Sequence, residues 1–331
     1  MQRRILVLLV CTVTLPAPAV AQRAGRVREP IIDVHLHANL IGTSGAPGDT
    51  VCTDTEEFLS AEYGRPQANG SVTQRFRCRV RMFSASSDSV LMRRTIEILR
   101  RYNIYALTSG DLAPTWREAE PRRIWLDSHA EDTTKLRAAL ANGARALGEF
   151  GFQYSGLGPA DSVPMSVFAF AAGNDLPIGV HVGPGPPGAP FIGMPSYRMR
   201  LSNPLQLEEV FSRYPTLRLY MMHAGWPMLN ETIGMLYTYP QLYVDIGVLA
   251  WDLPRAEFYR YLRGLVDAGF TNRIMFGSDQ MQWPDAIPAS IRAIEQAPFL
   301  TQKQKRAIFY DNAARFLRLS EEEMRRHREG K

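Results

Sequence analysis

The stretch Ile31-Ile32-Asp33-Val34-His35-Leu36-His37 is a short apolar and β-branched run that ends in two histidines. Such a run is typical of a buried strand, and the strand period of two points His35 and His37 to the same face. Seven further short apolar runs follow along the chain, and polar loops and helical patterns separate most of them. These runs begin at Ile104, Ile124, Ala146, Ile178, Leu217, Leu242 and Ile274.

The alternation of strand and helix patterns indicates a parallel sheet. Helical periodicity is found, for example, over residues 91–101, 133–142, 204–214 and 257–268. Eight strand-helix units predict an α/β fold, a closed (β/α)8 barrel of the TIM type, over residues 30–320. An open doubly wound sheet is the alternative, but no glycine-rich dinucleotide fingerprint follows the first run.

The first 21 residues have the pattern of an export signal. Arg3 and Arg4 precede an apolar run over residues 5–15, and Ala19-Val20-Ala21 has the small-x-small form of a cleavage site. A transmembrane anchor would need about 20 apolar residues, and this run is shorter and is followed by prolines. We therefore expect a signal peptide over residues 1–21, no membrane anchor, and a mature protein that is periplasmic or secreted.

The composition is that of an ordinary globular chain, since 45% of the 331 residues are hydrophobic and 21% are charged. This excludes disordered, collagen-like and coiled-coil proteins. Without Arg3 and Arg4, 36 basic residues (38 − 2) stand against 33 acidic ones, which leaves a net charge of +3. So small a charge does not indicate a nucleic-acid or membrane partner. We expect a small-molecule substrate, and the sequence carries no signal for the oligomeric state.

About 70 residues separate the first two runs, which predicts an insertion over residues 42–88 in the first βα loop. Cys11 leaves with the signal peptide, so Cys52 and Cys78 remain in a compartment that permits disulfides, and we expect them to pair. Two separate buried thiols are the alternative. Arginines alternate with apolar residues over 75–82, which predicts a strand with one buried and one solvent-facing side. The insertion is expected to form a lid or wall, with its arginines either gripping an anionic substrate or solvated.

Residue types that bind metals stand at the ends of five predicted strands. They are His35 and His37 after the first, Glu149 after the fourth, His181 after the fifth, His223 after the sixth and Asp279 after the eighth. Only six histidines exist in the chain, and core histidines would be scattered over helices and loops, as we expect for His129 and His327. Imidazole and carboxylate ligands together suit zinc, manganese, iron or nickel, and the lack of thiolate disfavours a closed structural zinc site. The sequence therefore predicts a metal centre at the barrel mouth.

These segments together resemble a known family. The segments are Asp33-Val34-His35-Leu36-His37, Gly179-Val180-His181, His223-Ala224-Gly225-Trp226-Pro227, Phe276-Gly277-Ser278-Asp279 and the ending from Ile308 to Leu317. The set is similar to the amidohydrolase superfamily, specifically its amidohydrolase-2 branch, and the resemblance covers residues 30–320 outside the insertion.

The resemblance implies that His35, His37, His181 and Asp279 are ligands of a catalytic metal. It makes His223 either a ligand of a second metal or the base that activates water. Glu149 departs from the mononuclear, decarboxylase-like members, which need no carboxylate after the fourth strand. The segment over residues 146–152 also resembles the metal-binding glutamate segment of TatD-type nucleases. The resemblance thus implies one or two divalent ions, with zinc expected first.

A divalent cation lowers the pKa of bound water from about 16 towards 7, and Asp279 or His223 would then carry the proton. We expect an exported metal-dependent hydrolase that acts on an amide, lactone or ester carbonyl. The alternatives are a non-oxidative decarboxylase of the same branch, a TatD-like phosphodiesterase, and a binding module without catalysis. Glu149 and export argue against the decarboxylase, and the small net charge argues against the phosphodiesterase.

Three further side chains are candidates for the substrate pocket. Trp226, Trp283 and Arg198 follow predicted strand ends or lie near the Gly/Pro-rich loop over residues 183–195. Aromatic packing at the barrel rim is the alternative explanation for the two tryptophans. Residues 321–331 are expected to be a polar C-terminal tail.

Overall fold

The computed structural model describes residues 28–58 and 76–331. The predicted signal peptide and Arg75 lie outside the described residues. The strands are β1 (Ile31–His37), β2 (Thr50–Phe58), β3 (Phe76–Phe83), β4 (Ile104–Ser109), β5 (Ile124–Ser128), β6 (Ala146–Phe150), β7 (Ile178–His181), β8 (Leu219–Met222), β9 (Tyr243–Asp245) and β10 (Ile274–Met275).

Helices connect the strands on the outside of the sheet. They are α1 (Asp88–Tyr102), α2 (Ala113–Ala119), α3 (Thr133–Ala141), α4 (Ser162–Gly173), α5 (Glu208–Arg213), α6 (Leu229–Thr238), α7 (Leu249–Asp252), α8 (Arg255–Asp267), α9 (Ala286–Glu295), α10 (Gln302–Arg306), α11 (Asn312–Phe316) and α12 (Glu321–Arg328). The helix predicted over 204–214 begins as a 3-10 turn, Pro204–Leu207, before α5. Within the described residues, no helix combines the length and the apolar character needed to cross a membrane.

Eight parallel strands form the predicted barrel, in the order β1-β4-β5-β6-β7-β8-β9-β10. The last strand approaches the first, and the amide of Val34 donates to the carbonyl of Phe276 at 3.0 Å, which brings the sheet close to closure. All eight predicted runs are barrel strands. They could be predicted because parallel strands are covered on both faces and are therefore apolar along most of their length.

The core has two layers, one inside the barrel and one between the strands and helices. Along β4, Tyr105 and Leu107 belong to the inner cluster, whereas Ile104 and Ala106 pack in the outer one. This alternation follows the strand period of two. The same period places Asp127 above Trp125 of the inner cluster, at the end of β5.

The insertion contains an antiparallel hairpin of β2 and β3, and Cys52 and Cys78 form the predicted disulfide in it. Val51 and Met82 of the hairpin pack in one cluster with Trp251 and Trp283, which lie beyond the ends of the last two barrel strands. The hairpin therefore forms a wall on that side of the barrel mouth.

The expected alternation of buried and solvent-facing positions in β3 holds only in part. Met82 is buried, but Val80 on the expected buried side is 54% exposed. Arg77 and Arg79 pair at the surface with Glu57 and Glu56. The hairpin packs on the barrel through β2, where Thr55 is buried and Asp54 accepts the backbone amide of Arg255. Val80 stays exposed because it lies on the outer strand, β3, most of which is exposed.

The polar C-terminal residues include helix α12. Ser320 and Glu323 make a reciprocal capping box at the start of α12, which satisfies two backbone amides of the first turn. His327 of this helix is buried, and its ring stacks on Tyr105 with the ring centroids 3.7 Å apart. The polar segment thus covers the end of the barrel opposite to the carboxyl ends of the strands.

Candidate metal centre

The six predicted ligands converge at the carboxyl ends of the barrel strands. A first group offers ligand atoms that all lie within 4.8 Å of one another, and its members are His35, His37, Glu149 and Asp279. A second group meets the same limit, and its members are Glu149, His181 and His223. Glu149 belongs to both groups and lies between them.

The two carboxylate oxygens of Glu149 serve different groups. Its Oε2 lies 3.4 Å from Nε2 of His35 and 3.5 Å from Nε2 of His37. Its Oε1 lies 2.5 Å from Nδ1 of His181 and 2.9 Å from Nε2 of His223. Glu149 could therefore contribute one oxygen to each of the two groups.

Each of the four imidazoles has one nitrogen held by a protein oxygen on the side away from the centre. The pairs are His35 Nδ1 with Asp245 Oδ2 at 3.1 Å, His37 Nδ1 with Ser109 Oγ at 3.0 Å, His181 Nε2 with the Pro184 carbonyl at 3.2 Å, and His223 Nδ1 with the Gly247 carbonyl at 3.0 Å. Such outer partners fix the ring orientation and the tautomer of metal-binding histidines. The remaining nitrogen of every ring points to the centre.

These inward nitrogens approach one another closely. Nε2 of His35 and Nε2 of His37 are 3.1 Å apart, and so are Nδ1 of His181 and Nε2 of His223. Two lone pairs at this distance repel unless a proton or a cation lies between them. The donor set therefore fits bound cations, with two imidazoles and two carboxylates in the first group and two imidazoles and one carboxylate in the second. Three protein ligands leave a position open, as catalytic metal sites do.

The local backbone brings the ligands into place. The register of β1 shifts between Asp33 and Leu36, and Oδ1 of the buried Asp33 accepts the amides of His35 and Ser278. Gly277 allows the backbone after β10 to approach His35 closely, because a Cβ at this position would lie 2.8 Å from Cβ of His35.

Two ligands have left-handed backbone conformations that side chains rarely adopt, His223 with φ 60° and Asp279 with φ 48°. Such conformations cost about 1–3 kcal/mol and are concentrated at functional sites, where the surrounding structure holds them. At Asp279 the backbone amide donates to the carbonyl of His35 at 2.8 Å, which ties this turn to the first strand.

The electrostatics of the cluster follow from its mixed charges. Burial would raise the pKa of Glu149, but the positive charges of His181 and His35 and the hydrogen bonds from His181 and His223 hold this pKa well below its usual value. Burial would lower the pKa of His37, yet hydrogen bonds to Asp279 and Glu149 raise it to about 9. Without a cation, the cluster therefore favours ionised Glu149 and Asp279 and protonated His35, His37 and His223, whose pKa values are raised.

The three predicted pocket residues lie near the rim with their polar atoms already engaged. Nε1 of Trp226 donates to Glu257 at 2.9 Å, and Nε1 of Trp283 donates to the carbonyl of Asp49 at 3.1 Å. Trp283 is only 2% exposed. The exposed Arg198 donates to the carbonyls of Pro195 and Tyr197. A substrate contact by these side chains stays a prediction.

The sequence reasoning missed two side chains beside the centre. Asp127 has a buried Oδ1 without a hydrogen-bond partner among the described residues, and burial raises its pKa to about 8 against the opposing charges of His37 and His35. The ring of Tyr154 meets the ring of His181 edge to face at 5.3 Å. Asp127 directly follows a predicted strand, which was a usable signal, whereas Tyr154 lies in a 3-10 turn that no pattern marked.

Comparisons with solved structures agree with the barrel. The chain is similar to an uncharacterized TIM-barrel protein of Bordetella bronchiseptica, at 17% identity over 87% of this chain and 98% of that one, with a TM-score of 0.59. A probable 2-pyrone-4,6-dicarboxylic acid hydrolase of Acinetobacter baumannii matches at 11% identity over 87% and 99% of the two chains, with a TM-score of 0.54. An amidohydrolase of Burkholderia multivorans with bound zinc matches at 15% identity over 88% and 100%, with a TM-score of 0.53.

Among curated proteins, a segment of 96 residues is 23% identical to protein fluG of Emericella nidulans, which is 29% of this chain and 11% of that protein. The match thus spans about a tenth of the curated relative. The family described as Amidohydrolase matches residues 32–319, which include all six converging side chains. The chain therefore belongs to the amidohydrolase-2 family of metal-dependent enzymes.

Proposed function

We propose that the protein is a hydrolase with two divalent metal ions that acts on a carbonyl substrate, an amide, a lactone or an ester. The observation that carries this proposal is the position of Glu149, whose two oxygens face two separate histidine groups. A centre with a single ion has no need of a carboxylate between the two groups. This is the reason to prefer hydrolysis over decarboxylation, the second candidate in this family.

A bound divalent ion would lower the pKa of water and polarise the substrate carbonyl. Asp279 is the better of the two candidate proton carriers. Both nitrogens of His223 are engaged, Nδ1 with the Gly247 carbonyl and Nε2 with Glu149. Among residues 28–58 and 76–331, Oδ2 of Asp279 makes no hydrogen bond and approaches only Nδ1 of His223, at 3.9 Å, so this oxygen could take a proton and return it to the leaving group.

The remaining features of the proposal concern the ion and the pocket. Imidazole and carboxylate ligands suit zinc, and one of the similar structures holds zinc, so we propose zinc before manganese, iron or nickel. One similar structure is described as a probable hydrolase of a pyrone dicarboxylic acid, in keeping with a carbonyl substrate. Trp226, Trp283 and Arg198 remain the proposed contacts of the substrate at the rim.

Metal analysis by mass spectrometry on the purified protein tests this proposal, together with hydrolysis assays on a panel of amides, lactones and esters. We expect about two ions per chain in the wild type and at most one in Glu149→Ala, with loss of hydrolysis. Asp267→Ala, at an exposed helix position, is the matched control and should keep both ions. One ion that survives the loss of Glu149 would favour decarboxylation, and a chain without metal would refute the mechanism.

We also propose that the protein is exported, on the pattern of residues 1–21. The Cys52–Cys78 disulfide supports this, because such bonds persist mainly in oxidising compartments. Expression in a bacterial host, fractionation and intact mass determination provide the test. A periplasmic product whose mass corresponds to a start at Gln22 is expected, whereas a full-length cytoplasmic product would contradict the proposal.

A further inference from the structure

A second cleft, of about 610 Å³, lies at the end of the barrel opposite to the metal centre. Its floor contains Ile124, Trp125 and Leu126, the first residues of β5, whereas Asp127 and the metal ligands are at the other ends of the strands. The C-terminal helix α12 forms one wall. Residues at this end of a TIM barrel ordinarily serve stability, so the cleft is not needed for the chemistry at the mouth.

The rim of the cleft is strongly basic. Five basic side chains line it, and they are Arg117, Arg122, Arg145, Arg326 and Lys331. The one acidic side chain in the lining, Glu323, is paired with Arg145 at 2.8 Å, and Lys331 is paired with Glu329 at 3.0 Å. Over residues 28–58 and 76–331, neither Arg122 nor Arg326 has a carboxylate within ion-pair distance, and both are exposed. Like charges around one concavity raise its positive potential and attract anions.

The floor of the cleft is largely apolar and held in place. The guanidinium of Arg145 lies 4.5 Å above the ring of Trp125, where its ion pair with Glu323 fixes it. The ring of His327 lies 5.5 Å from that of Trp125 and stacks on Tyr105. Because these groups are ordered without a ligand, binding would cost little conformational entropy.

We propose that this cleft is a binding site for an amphipathic organic anion, a carboxylate or sulfonate attached to an aromatic or similarly flat apolar body. The apolar body would lie against Leu126 and the part of Trp125 that stays exposed, and the acid group would meet Arg122 and Arg326. A small inorganic anion would leave the apolar floor uncovered, and a neutral aromatic compound would leave the basic rim unpaired. The site does not depend on the metal centre or on the proposed hydrolysis.

The test is a fluorescence titration of the full-length protein with anilinonaphthalene sulfonate, an aromatic sulfonate that brightens on binding, repeated by calorimetry. Saturable binding of one equivalent is expected, with a Kd that rises about tenfold in Arg122→Ala/Arg326→Ala. Both side chains are exposed, so these changes should leave the fold intact. The matched control, Arg213→Ala/Lys303→Ala, removes the same charge from exposed positions on α5 and α10 and should keep the wild-type Kd.

Two further measurements separate this site from unspecific adsorption. The affinity should fall as salt is added, because the charges at the rim are screened. The uncharged analogue phenylnaphthylamine should bind the wild type no better than it binds the Arg122→Ala/Arg326→Ala variant. Equal sulfonate affinity in the cleft variant and the control variant would overturn the proposal, and so would the absence of saturable binding to the wild type.

Discussion

Asp245 holds together two halves of the metal centre. Its Oδ2 lies 3.1 Å from Nδ1 of His35, and its Oδ1 accepts the amides of His223 and Gly247 at 3.1 and 2.7 Å. The carboxylate is fully buried, with no exposed surface. One side chain therefore orients a ligand of the first group and the backbone of a ligand of the second group.

We predict that Asp245→Asn weakens zinc binding about 10-fold to 100-fold, because one of the two accepting oxygens becomes an NH2 donor. The side chain can then no longer accept both from Nδ1 of His35 and from the backbone amides of His223 and Gly247. Competition with a chromophoric chelator measures the Kd. Asp267→Asn, at an exposed position of α8, should bind zinc like the wild type. An unchanged Kd in Asp245→Asn would mean that the ring of His35 is oriented by packing alone.

The titration of the imidazoles gives a second prediction at this scale. Carboxylates raise the pKa of His37 to about 9 and that of His35 well above its usual value, in each case against the effect of burial. Without metal, at least His37 of this pair is therefore protonated at neutral pH, and zinc must displace its proton.

We expect zinc uptake at pH 7.5 to release at least one proton, and the zinc affinity to rise as the pH increases towards about 9. Calorimetry in two buffers with different ionisation enthalpies counts the protons. His37→Ala should release fewer protons than the wild type. If the observed heat were the same in both buffers, the imidazoles would already be neutral before zinc binds.

The sequence was enough to predict which residues meet at the centre, but not how they are arranged. The ends of the strands can be located from the apolar runs alone, and the spacing of His35 and His37 then shows that both side chains point to the same face. Which oxygen of Glu149 faces which group depends on side-chain torsion angles and on backbone turns such as that at Asp279. These are set by contacts distant in sequence, such as the bond between the Asp279 amide and the His35 carbonyl.

At the scale of elements, the hairpin of β2 and β3 depends on few contacts. Val51 and Met82 bury its base, while Val80 and Phe83 are 54% and 62% exposed. A two-stranded hairpin is only marginally stable by itself. The Cys52–Cys78 disulfide is therefore expected to supply much of its stability.

We predict that Cys52→Ser/Cys78→Ser lowers the free energy of unfolding by up to about 3 kcal/mol, the value that chain entropy gives for a closed loop of this length. Thermal unfolding with and without a reducing agent measures it. The reducing agent should lower the Tm of the wild type to that of the variant and leave the variant unchanged. A wild type insensitive to reduction would show that packing on Trp251 and Trp283 is sufficient.

Helix α12 makes a pH-dependent contribution to the free energy of unfolding through His327. Burial lowers the pKa of His327 to about 4, and its Nδ1 lies 2.9 Å from the hydroxyl of Tyr310. The ordinary pKa of about 6.5 applies to the unfolded chain, so the unfolded state binds more protons between pH 6.5 and 4. This contribution is therefore complete above pH 6.5 and is lost as the pH falls to about 4.

We compare the unfolding free energies of the wild type and of His327→Gln. We predict that the difference, wild type minus variant, falls by about 2 kcal/mol between pH 7 and pH 4.5, after allowance for solvent screening. Urea unfolding of both proteins at several pH values measures the difference. The subtraction cancels the titration of the metal ligands, which both proteins share. A difference that does not vary with pH would contradict a buried neutral His327.

The elements differ in how far the sequence could predict them. The barrel strands are buried on both faces, and their apolar runs are visible without knowledge of their neighbours. Helix α12 is polar almost throughout, and its position depends on His327, Tyr105 and Trp125, which lie far apart in the sequence. A local sequence pattern cannot predict the contact between the imidazole of His327 and the floor of the barrel. For this reason the segment was expected to be a polar tail.

At the scale of the whole molecule, the six candidate metal ligands come from strands that lie far apart around the barrel. They come from β1, β6 and β7 and from the turns after β8 and β10. In the described residues, no ladder of hydrogen bonds joins β10 directly to β1, so the barrel is nearly but not fully closed. Without cations, the inward nitrogens and the carboxylates remain crowded at distances near 3 Å. Bound ions would relieve this crowding and link the last turn to the first strand.

We therefore predict that removal of metal destabilises the entire barrel and not only its mouth. At a free zinc concentration about 100 times the Kd, binding to the folded state alone adds about 2.7 kcal/mol, which for a chain of this size corresponds to a Tm higher by about 5 °C. Calorimetric scans with zinc and with a chelator measure the shift. Glu149→Ala should show a smaller shift, because it lacks the carboxylate shared by both groups. Equal Tm values with zinc and chelator in the wild type would show that the six side chains do not bind zinc as a unit.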